Sequence, residues 1–229
     1  MNTVFFNRRD AGERLAHQLA NYTNNSNAIV LALPRGGVPV AYEVATKLNL
    51  PLDVCLVRKL GLPNSPETAM GAVAEDALTH DYSENITIID RNTVEYNNLD
   101  REVLKEIAAK EKAKLKRRES CYRHYRPMLK ISDRIVIIVD DGMATGLTMQ
   151  AAVKVLSKHN PAKIIVACPV ASRQAISNIE NVVDNLICLL TPQSLGAVGF
   201  WYEDFSQTTD QHVCDLLDSL TRKNYAGSC

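Results

Sequence analysis

The sequence predicts an α/β protein, in which helices flank a parallel central sheet. Short, continuous apolar runs rich in β-branched residues recur along the chain, as expected of parallel strands that are buried on both faces. Segments with helical periodicity separate these runs, which is the alternation typical of βαβ units. The length of 229 residues suits one domain, so we predict a single domain over 1–229.

The predicted elements begin with an amphipathic N-terminal helix at 8–22. Apolar, β-branched runs predict strands at 28–34, 52–58, 85–90, 134–140, 163–170 and 185–190. Helical periodicity predicts helices at 38–49, 146–158 and 172–180. One long, highly charged helix is predicted over 92–120, and a last helix follows an aromatic, acidic loop near the C-terminus.

Two parts of the chain fall outside this alternation. Residues 59–84 mix turn signals with a short β-like piece, "AMGAVAED", and are long for a connection in a compact domain. We interpret 59–84 as a flexible flap that closes over a binding site. The chain ends, 1–22 and 196–229, are expected to pack together as a small hood over the sheet.

Composition and charge argue against several functional classes. The chain has 26 Lys and Arg against 26 Asp and Glu, and this balance disfavours a general nucleic-acid or membrane-surface binder. Its six cysteines are scattered without a Cys-x-x-Cys motif, which is typical of reduced core residues. The N-terminus does not resemble a signal peptide and no apolar run is long enough to span a membrane, so a cytoplasmic protein is expected.

The stretch "IVIIVDDGMATGLTM", residues 135–149, carries the strongest functional signal. Its buried strand ends at Asp140 and Asp141, and ligands of open parallel sheets bind beyond the carboxyl ends of strands. The small-residue loop that follows enters a helix, so its backbone N–H groups and the hydroxyls of Thr145 and Thr148 can bind a phosphate. Carboxylates would repel that phosphate and are expected to face vicinal sugar hydroxyls or a bound Mg²⁺. Together these features predict a site for ribose 5-phosphate.

Two common phosphate-binding motifs do not fit this stretch. A Walker loop requires G-x-x-x-x-G-K-S/T, whereas "GMATGLT" has different spacing and no lysine. The dinucleotide-binding pattern G-x-G-x-x-G is also absent. An exposed acidic strand end before an ordinary turn would account for "DD" alone but not for the whole pattern.

The segment "VIIVDDGMATGLT" resembles the phosphoribosyl diphosphate (PRPP) motif of type I phosphoribosyltransferases. The resemblance implies that Asp140 and Asp141 hold the ribose hydroxyls and that the following loop cradles the 5-phosphate. The loop residues are Gly142, Met143, Ala144, Thr145, Gly146, Leu147 and Thr148. Nearly the whole chain resembles bacterial predicted phosphoribosyltransferases whose acceptor is generally not assigned.

Two cationic segments support the resemblance. In "LALPRGGVPVAYEVA", Gly36 and Gly37 allow close backbone approach to an anion, and Arg35 adds positive charge. By resemblance this is the pyrophosphate loop of the family, which often carries a non-proline cis peptide, expected here at Arg35–Gly36. Arg58 and Lys59 follow the next predicted strand and would offset the charge of the departing diphosphate, although a solvated strand end is an alternative.

The segment "AVGFWYEDFSQ" resembles an aromatic, acidic stretch of purine-type members. The resemblance implies a base pocket at Trp201 and Tyr202 and a metal ligand at Glu203, which would hold Mg²⁺ together with PRPP oxygens. The alternative is that these aromatic residues only pin the C-terminal helix to the core. Ala144 occupies the position of a second aspartate in the 6-oxopurine enzymes, which disfavours a hypoxanthine-guanine enzyme and favours the adenine type.

The resulting hypothesis is a pentosyltransferase of purine or pyrimidine salvage, which transfers ribose 5-phosphate from PRPP to a nitrogenous base and releases pyrophosphate. Asp140, Asp141, Arg58 and Lys59 are its predicted catalytic residues. The alternative is a non-catalytic sensor of PRPP or nucleotides, favoured only by the basic helix at 101–126. Nucleic acid is not an expected partner, a homodimer is left open, and the acceptor base and general base do not follow from the sequence.

Overall fold

The computed structural model describes residues 4–75, 85–89, 91–123 and 129–226. In these ranges the strands are β1 Ala28–Ala32, β2 Leu52–Val54, β3 Val57–Leu62, β4 Ser65–Glu75, β5 Asn85–Ile89, β6 Ile135–Val139, β7 Lys163–Val170 and β8 Asn185–Leu190. The α-helices are α1 Arg8–Gln18, α2 Gly37–Leu48, α3 Arg91–Tyr96, α4 Arg101–Arg123, α5 Leu147–Leu156, α6 Arg173–Ile179 and α7 Asp210–Ala226. None of these helices is long and apolar enough to cross a membrane.

The central sheet has five parallel strands in the order β2-β1-β6-β7-β8. Because side chains alternate along a strand, Val30 and Ile137 pack in the core formed with α1, α2 and α7, whereas Ile29 and Ile138 pack in the core formed with α5 and α6. The predicted α/β fold with a parallel central sheet is therefore confirmed. All five carboxyl ends lie at one edge, and β6 is the middle strand.

The predicted strand at 52–58 is wrong, because the chain leaves the central sheet partway along it. β2 ends at Val54, and β3 belongs to a second, antiparallel sheet with the order β3-β4-β5. A two-residue turn joins β3 to β4, and such a short turn can connect only antiparallel strands. The predicted strand at 85–90 likewise lies in this second sheet, as β5. Most of the predicted flap therefore forms β3 and β4, and 76–84 lies outside the described residues.

The charged segment forms two helices and not the single helix predicted over 92–120. Asn98 adopts a left-handed conformation with φ of 49°, which ends α3, and α4 begins three residues later. The far end of α4 is anchored by Arg123, whose Nε lies 3.2 Å from Oδ1 of buried Asp53 and whose Nη2 donates to the Val54 carbonyl at 2.7 Å. These contacts fasten α4 to the edge strand β2.

The N-terminal segment contacts the segment that precedes α7. The Phe5 amide donates to the Trp201 carbonyl, and the Glu203 amide donates to the Phe5 carbonyl, both at 2.8 Å. The rings of Phe5 and Tyr202 lie 5.4 Å apart. The two ends of the chain are thus held together beside the carboxyl edge of the sheet, and their action as a hood stays a prediction.

Candidate active site

Asp140 and Asp141 follow the middle strand of the sheet, where both are largely shielded from water. The Asp141 amide donates to Oδ1 of Asp140 at 2.8 Å. Burial, followed by the negative charge of Asp141, raises the pKa of Asp140 well above its ordinary value. Burial also raises the pKa of Asp141, against the opposing charge of Arg8. Two adjacent carboxylates held in this way mark a functional site more than a structural one.

The predicted pyrophosphate loop lies directly against these two carboxylates. A Cβ atom at Gly36 would lie 2.0 Å from Oδ2 of Asp141, and one at Gly37 would lie 2.7 Å from the Val139 carbonyl oxygen. Only glycine lets the backbone at the start of α2 come this close to Asp140 and Asp141. The expected cis peptide at Arg35–Gly36 is wrong by one bond, because the non-proline cis peptide is at Pro34–Arg35.

Met143 anchors the loop that follows the aspartates. Its amide donates to the Val170 carbonyl at 2.9 Å, and its carbonyl accepts from the Ser172 amide at 2.9 Å. Its side chain is buried in the core with α5. Met143 therefore holds the loop against the end of β7, and its own N–H group is not available to a phosphate.

The next two peptide groups of the loop direct their carbonyl groups toward α6 and its N-cap. The carbonyl of Ala144 accepts from Ser172 Oγ at 2.6 Å, and that of Thr145 accepts from Asn178 Nδ2 at 3.3 Å. In a trans peptide the N–H group points opposite to the carbonyl, so the N–H groups of Thr145 and Gly146 point away from α6. Neither has a hydrogen-bond acceptor among the residues that the structure describes. These N–H groups and the start of α5 could bind an anion, and we call them the anion cradle.

Gly146 is required here for its backbone. Its φ is +77°, and an added Cβ would lie 3.2 to 3.3 Å from Ile179 and Ala175. A side chain at Gly146 would therefore press on α6 and would not point into the anion cradle.

Two of the three cations predicted for the diphosphate lie beside carboxylates of α4 and α7. Arg58 lies within β3, not after β2 as expected, and its Nε contacts Glu111 of α4. Lys59 follows it and faces the other side of β3. Nη1 of Arg35 lies 3.9 Å from Oδ1 of Asp210 at the start of α7. The structure brings Gly36 and Gly37 to the aspartates, whereas it pairs Arg58 with α4.

The aromatic segment supports the backbone of Asp141. The Tyr202 hydroxyl donates to the Asp141 carbonyl at 2.5 Å, and the Tyr202 ring is buried. Burial is also the main cause of the raised pKa of Tyr202. Trp201 is half-buried and donates through Nε1 to the Leu195 carbonyl at 3.0 Å, while Glu203 is exposed. In the described part of the chain, no cluster of three or more His, Cys, Asp or Glu side chains could hold a metal ion.

Arg8 is a residue of this site that the sequence analysis missed. Its Nε lies 2.8 Å from Oδ2 of Asp141, and its guanidinium stacks 3.8 Å from the centroid of the Phe205 ring. One signal was available, because a cation in the first turn of α1 is opposed by the helix dipole and needs another reason to be there.

Comparisons with known proteins show which family the chain is similar to. Residues 7–203 match the model of the phosphoribosyl transferase domain family. The chain is 39% identical over 219 residues, 96% of its length, to the Mycobacterium tuberculosis H37Rv protein named "Putative phosphoribosyl transferase Rv0571c". The match covers 47% of that protein, so the chain spans about half the length of the curated relatives it matches.

Two solved structures are similar in fold. The crystal structure of TT1426 from Thermus thermophilus superposes with a TM-score of 0.79 at 39% identity, covering 95% of this chain and 99% of that one. The AQ2163 protein from Aquifex aeolicus gives a TM-score of 0.50 at 13% identity, covering 92% of this chain and 84% of that one, and shows the fold alone. Because the family model matches residues 7–203 and TT1426 is 39% identical over 95% of this chain, the chain belongs to the phosphoribosyl transferase family.

Proposed function

We propose that the protein transfers ribose 5-phosphate from PRPP to a nitrogenous base and releases pyrophosphate, with Mg²⁺ bound alongside PRPP. The observation that carries the proposal is the juxtaposition of two shielded carboxylates, Asp140 and Asp141, with a loop whose Thr145 and Gly146 N–H groups have no acceptor among the described residues. Hydrogen-bond acceptors for sugar hydroxyls thus lie next to donors for a phosphate, which is the pattern that a ribose 5-phosphate needs.

The reaction forms a bond from a ring nitrogen of the base to the anomeric carbon and breaks the bond from that carbon to the diphosphate. Such a displacement requires orientation and charge stabilisation more than covalent catalysis. In the proposed complex Asp140 and Asp141 orient the ribose through its hydroxyls, while the loop N–H groups hold the 5-phosphate. In the same complex Arg35, at the start of the glycine loop, is proposed to contact the departing diphosphate.

Mg²⁺ is proposed to bind mainly through PRPP. Proteins usually hold Mg²⁺ by one or two carboxylates together with substrate phosphates and waters, not by a complete protein cage. The exposed carboxylate of Glu203, next to Tyr202, suits such partial coordination. When bound, Mg²⁺ supplies positive charge to the departing diphosphate.

The test is a calorimetric titration with PRPP and Mg²⁺, followed by a pyrophosphate-release screen over nucleobases. We expect saturable PRPP binding and turnover with at least one base, and Ala144 directs the screen first to adenine-type acceptors. The variant with Asp140→Asn and Asp141→Asn is the control and should show neither. Binding without turnover on any base would favour the non-catalytic sensor, and absence of binding would contradict the proposal.

A further inference from the structure

We propose that Arg8 is a positioning residue of the ribose subsite, which orients the carboxylate of Asp141 so that it accepts hydrogen bonds from the vicinal hydroxyls of the sugar. The inference rests on the proposed function and deepens it, because it adds a residue of the N-terminal helix to the sugar site.

The geometry leaves the Asp141 carboxylate little freedom to rotate. Arg8 Nε lies 2.8 Å from its Oδ2, and the two side chains are only 11% and 15% exposed. Gly36 also lies so close that an added Cβ would be 2.0 Å from the same oxygen. Oδ2 is thus confined by a guanidinium and a glycine backbone, and this restricts the directions that the remaining oxygen, Oδ1, can take.

Arg8 is itself held by two other groups. Its Nη1 donates to the Ser206 carbonyl at 2.8 Å, and its guanidinium lies over the Phe205 ring. A planar guanidinium can donate in two directions within its plane while its face lies on an aromatic ring, whereas an ammonium group has no planar face to stack. Arg8 therefore connects α1, the segment before α7 and the Asp141 carboxylate in one rigid arrangement.

Charge provides a second reason for this placement. Arg8 is the one cation in the described ranges that forms an ion pair with either aspartate. Two adjacent, shielded carboxylates repel each other, and a shielded charge is unfavourable without a partner. The positive charge of Arg8 opposes the rise in the pKa of Asp141 that burial causes. Arg8 thereby favours the ionised form, which accepts hydrogen bonds from hydroxyl groups.

The chain offers a matched control in the neighbouring residue. Arg9 occupies the same turn of α1, but its side chain is 72% exposed and pairs with Glu13 and Glu43. Arg9→Gln removes the same charge from the same helix without touching Asp141. A difference between Arg8→Gln and Arg9→Gln therefore reports the contact with Asp141 and not the net charge of the helix.

The experiment measures the affinities of wild type and variants for ribose 5-phosphate, 2-deoxyribose 5-phosphate and inorganic phosphate. Arg8→Gln should lower the affinity for ribose 5-phosphate by about tenfold or more, the range expected when a charge-assisted contact is lost. It should also reduce the preference for ribose 5-phosphate over 2-deoxyribose 5-phosphate, and the affinity for inorganic phosphate should stay unchanged. Arg8→Lys, which keeps the charge, should restore part of the loss, and Arg9→Gln should behave as wild type.

A role confined to pinning α1 predicts a different result. In that case Arg8→Gln would weaken all three ligands equally or lower the melting temperature alone, and the inference would be overturned. The double variant with Arg8→Gln and Asp141→Asn tests whether Arg8 acts through Asp141. A further loss of sugar selectivity relative to Asp141→Asn alone would show that it does not. A wild-type protein that binds no ribose 5-phosphate would contradict the proposed function as well, whereas an unselective loss contradicts only the role of Arg8.

Discussion

The two halves of the candidate site are built in different ways. The proposed sugar-phosphate half, Asp140 to Thr148, belongs to one βα unit of the central sheet and uses backbone groups that tertiary hydrogen bonds already hold in place. The proposed diphosphate half combines the glycine loop with arginines that lie beside carboxylates of α4 and α7, and Arg58 comes from the second sheet. The backbone groups of the sugar half are therefore preformed, whereas Arg35 and Arg58 already lie beside the carboxylates of Asp210 and Glu111, which would compete with a diphosphate.

The largest effect is expected from the sugar half. Asp140→Asn combined with Asp141→Asn should weaken PRPP by a factor on the order of a hundred or more, since two charge-assisted acceptors are lost. The circular dichroism spectrum should stay unchanged, because both side chains lie at a strand end and not in the core. Unchanged affinity for PRPP by calorimetry would remove the sugar site from this edge of the sheet.

A smaller loss is expected where the two halves meet. Gly36→Ala places a Cβ 2.0 Å from Oδ2 of Asp141, so the carboxylate must turn away. Affinity for PRPP and ribose 5-phosphate should fall about tenfold or more, while that for inorganic phosphate stays. Gly146→Ala is the contrast, because its added methyl faces α6 and imposes a strained φ. It should lower the melting temperature, and a selective loss of ribose 5-phosphate in that variant would contradict this difference.

In the diphosphate half, removal of the Glu111 carboxylate should raise the affinity for ligand and not lower it. Glu111→Gln removes the carboxylate that pairs with both Arg58 and Lys114, so affinity for pyrophosphate should rise by about two- to fivefold, the scale of a partly exposed pair. Glu102→Gln removes the same charge from α4 at an exposed position, where Glu102 pairs with Lys105. Equal increases in the two variants would point to net charge as the cause, and no increase would show that Arg58 does not need to change partners.

The smallest expected effect is on stability. An acid with a raised pKa in the folded state destabilises the fold as pH rises from its ordinary value, about 4, towards the raised value. Asp140→Asn should therefore melt at a higher temperature than wild type at pH 7, and the difference should shrink as the pH approaches 4. The Asn side-chain oxygen can still accept the hydrogen bond that the Asp141 backbone amide donates. A variant that is less stable at neutral pH would contradict the inferred cost of the carboxylate pair.

The same comparison explains what the sequence could predict. The sugar half is contiguous, so local signals within one βα unit were enough to place Asp140 and the loop. Arg58 was misplaced because no residue in the apolar run at 52–58 marks the exit from the central sheet. Arg8 was not found because its partner, Asp141, is 133 residues away, and that contact depends on how α1 packs against the sheet.

The most direct measurement of the central claim pairs two ligands with two variants. Calorimetry would give the affinities of Asp141→Asn and Arg58→Ala for ribose 5-phosphate and for pyrophosphate with Mg²⁺. We expect Asp141→Asn to lower the affinity for ribose 5-phosphate by about tenfold or more and to leave that for pyrophosphate unchanged. We expect Arg58→Ala to lower the affinity for pyrophosphate by about tenfold or more and to leave that for ribose 5-phosphate unchanged. If both variants instead lost both ligands equally, the division of the site into a sugar half and a diphosphate half would be wrong.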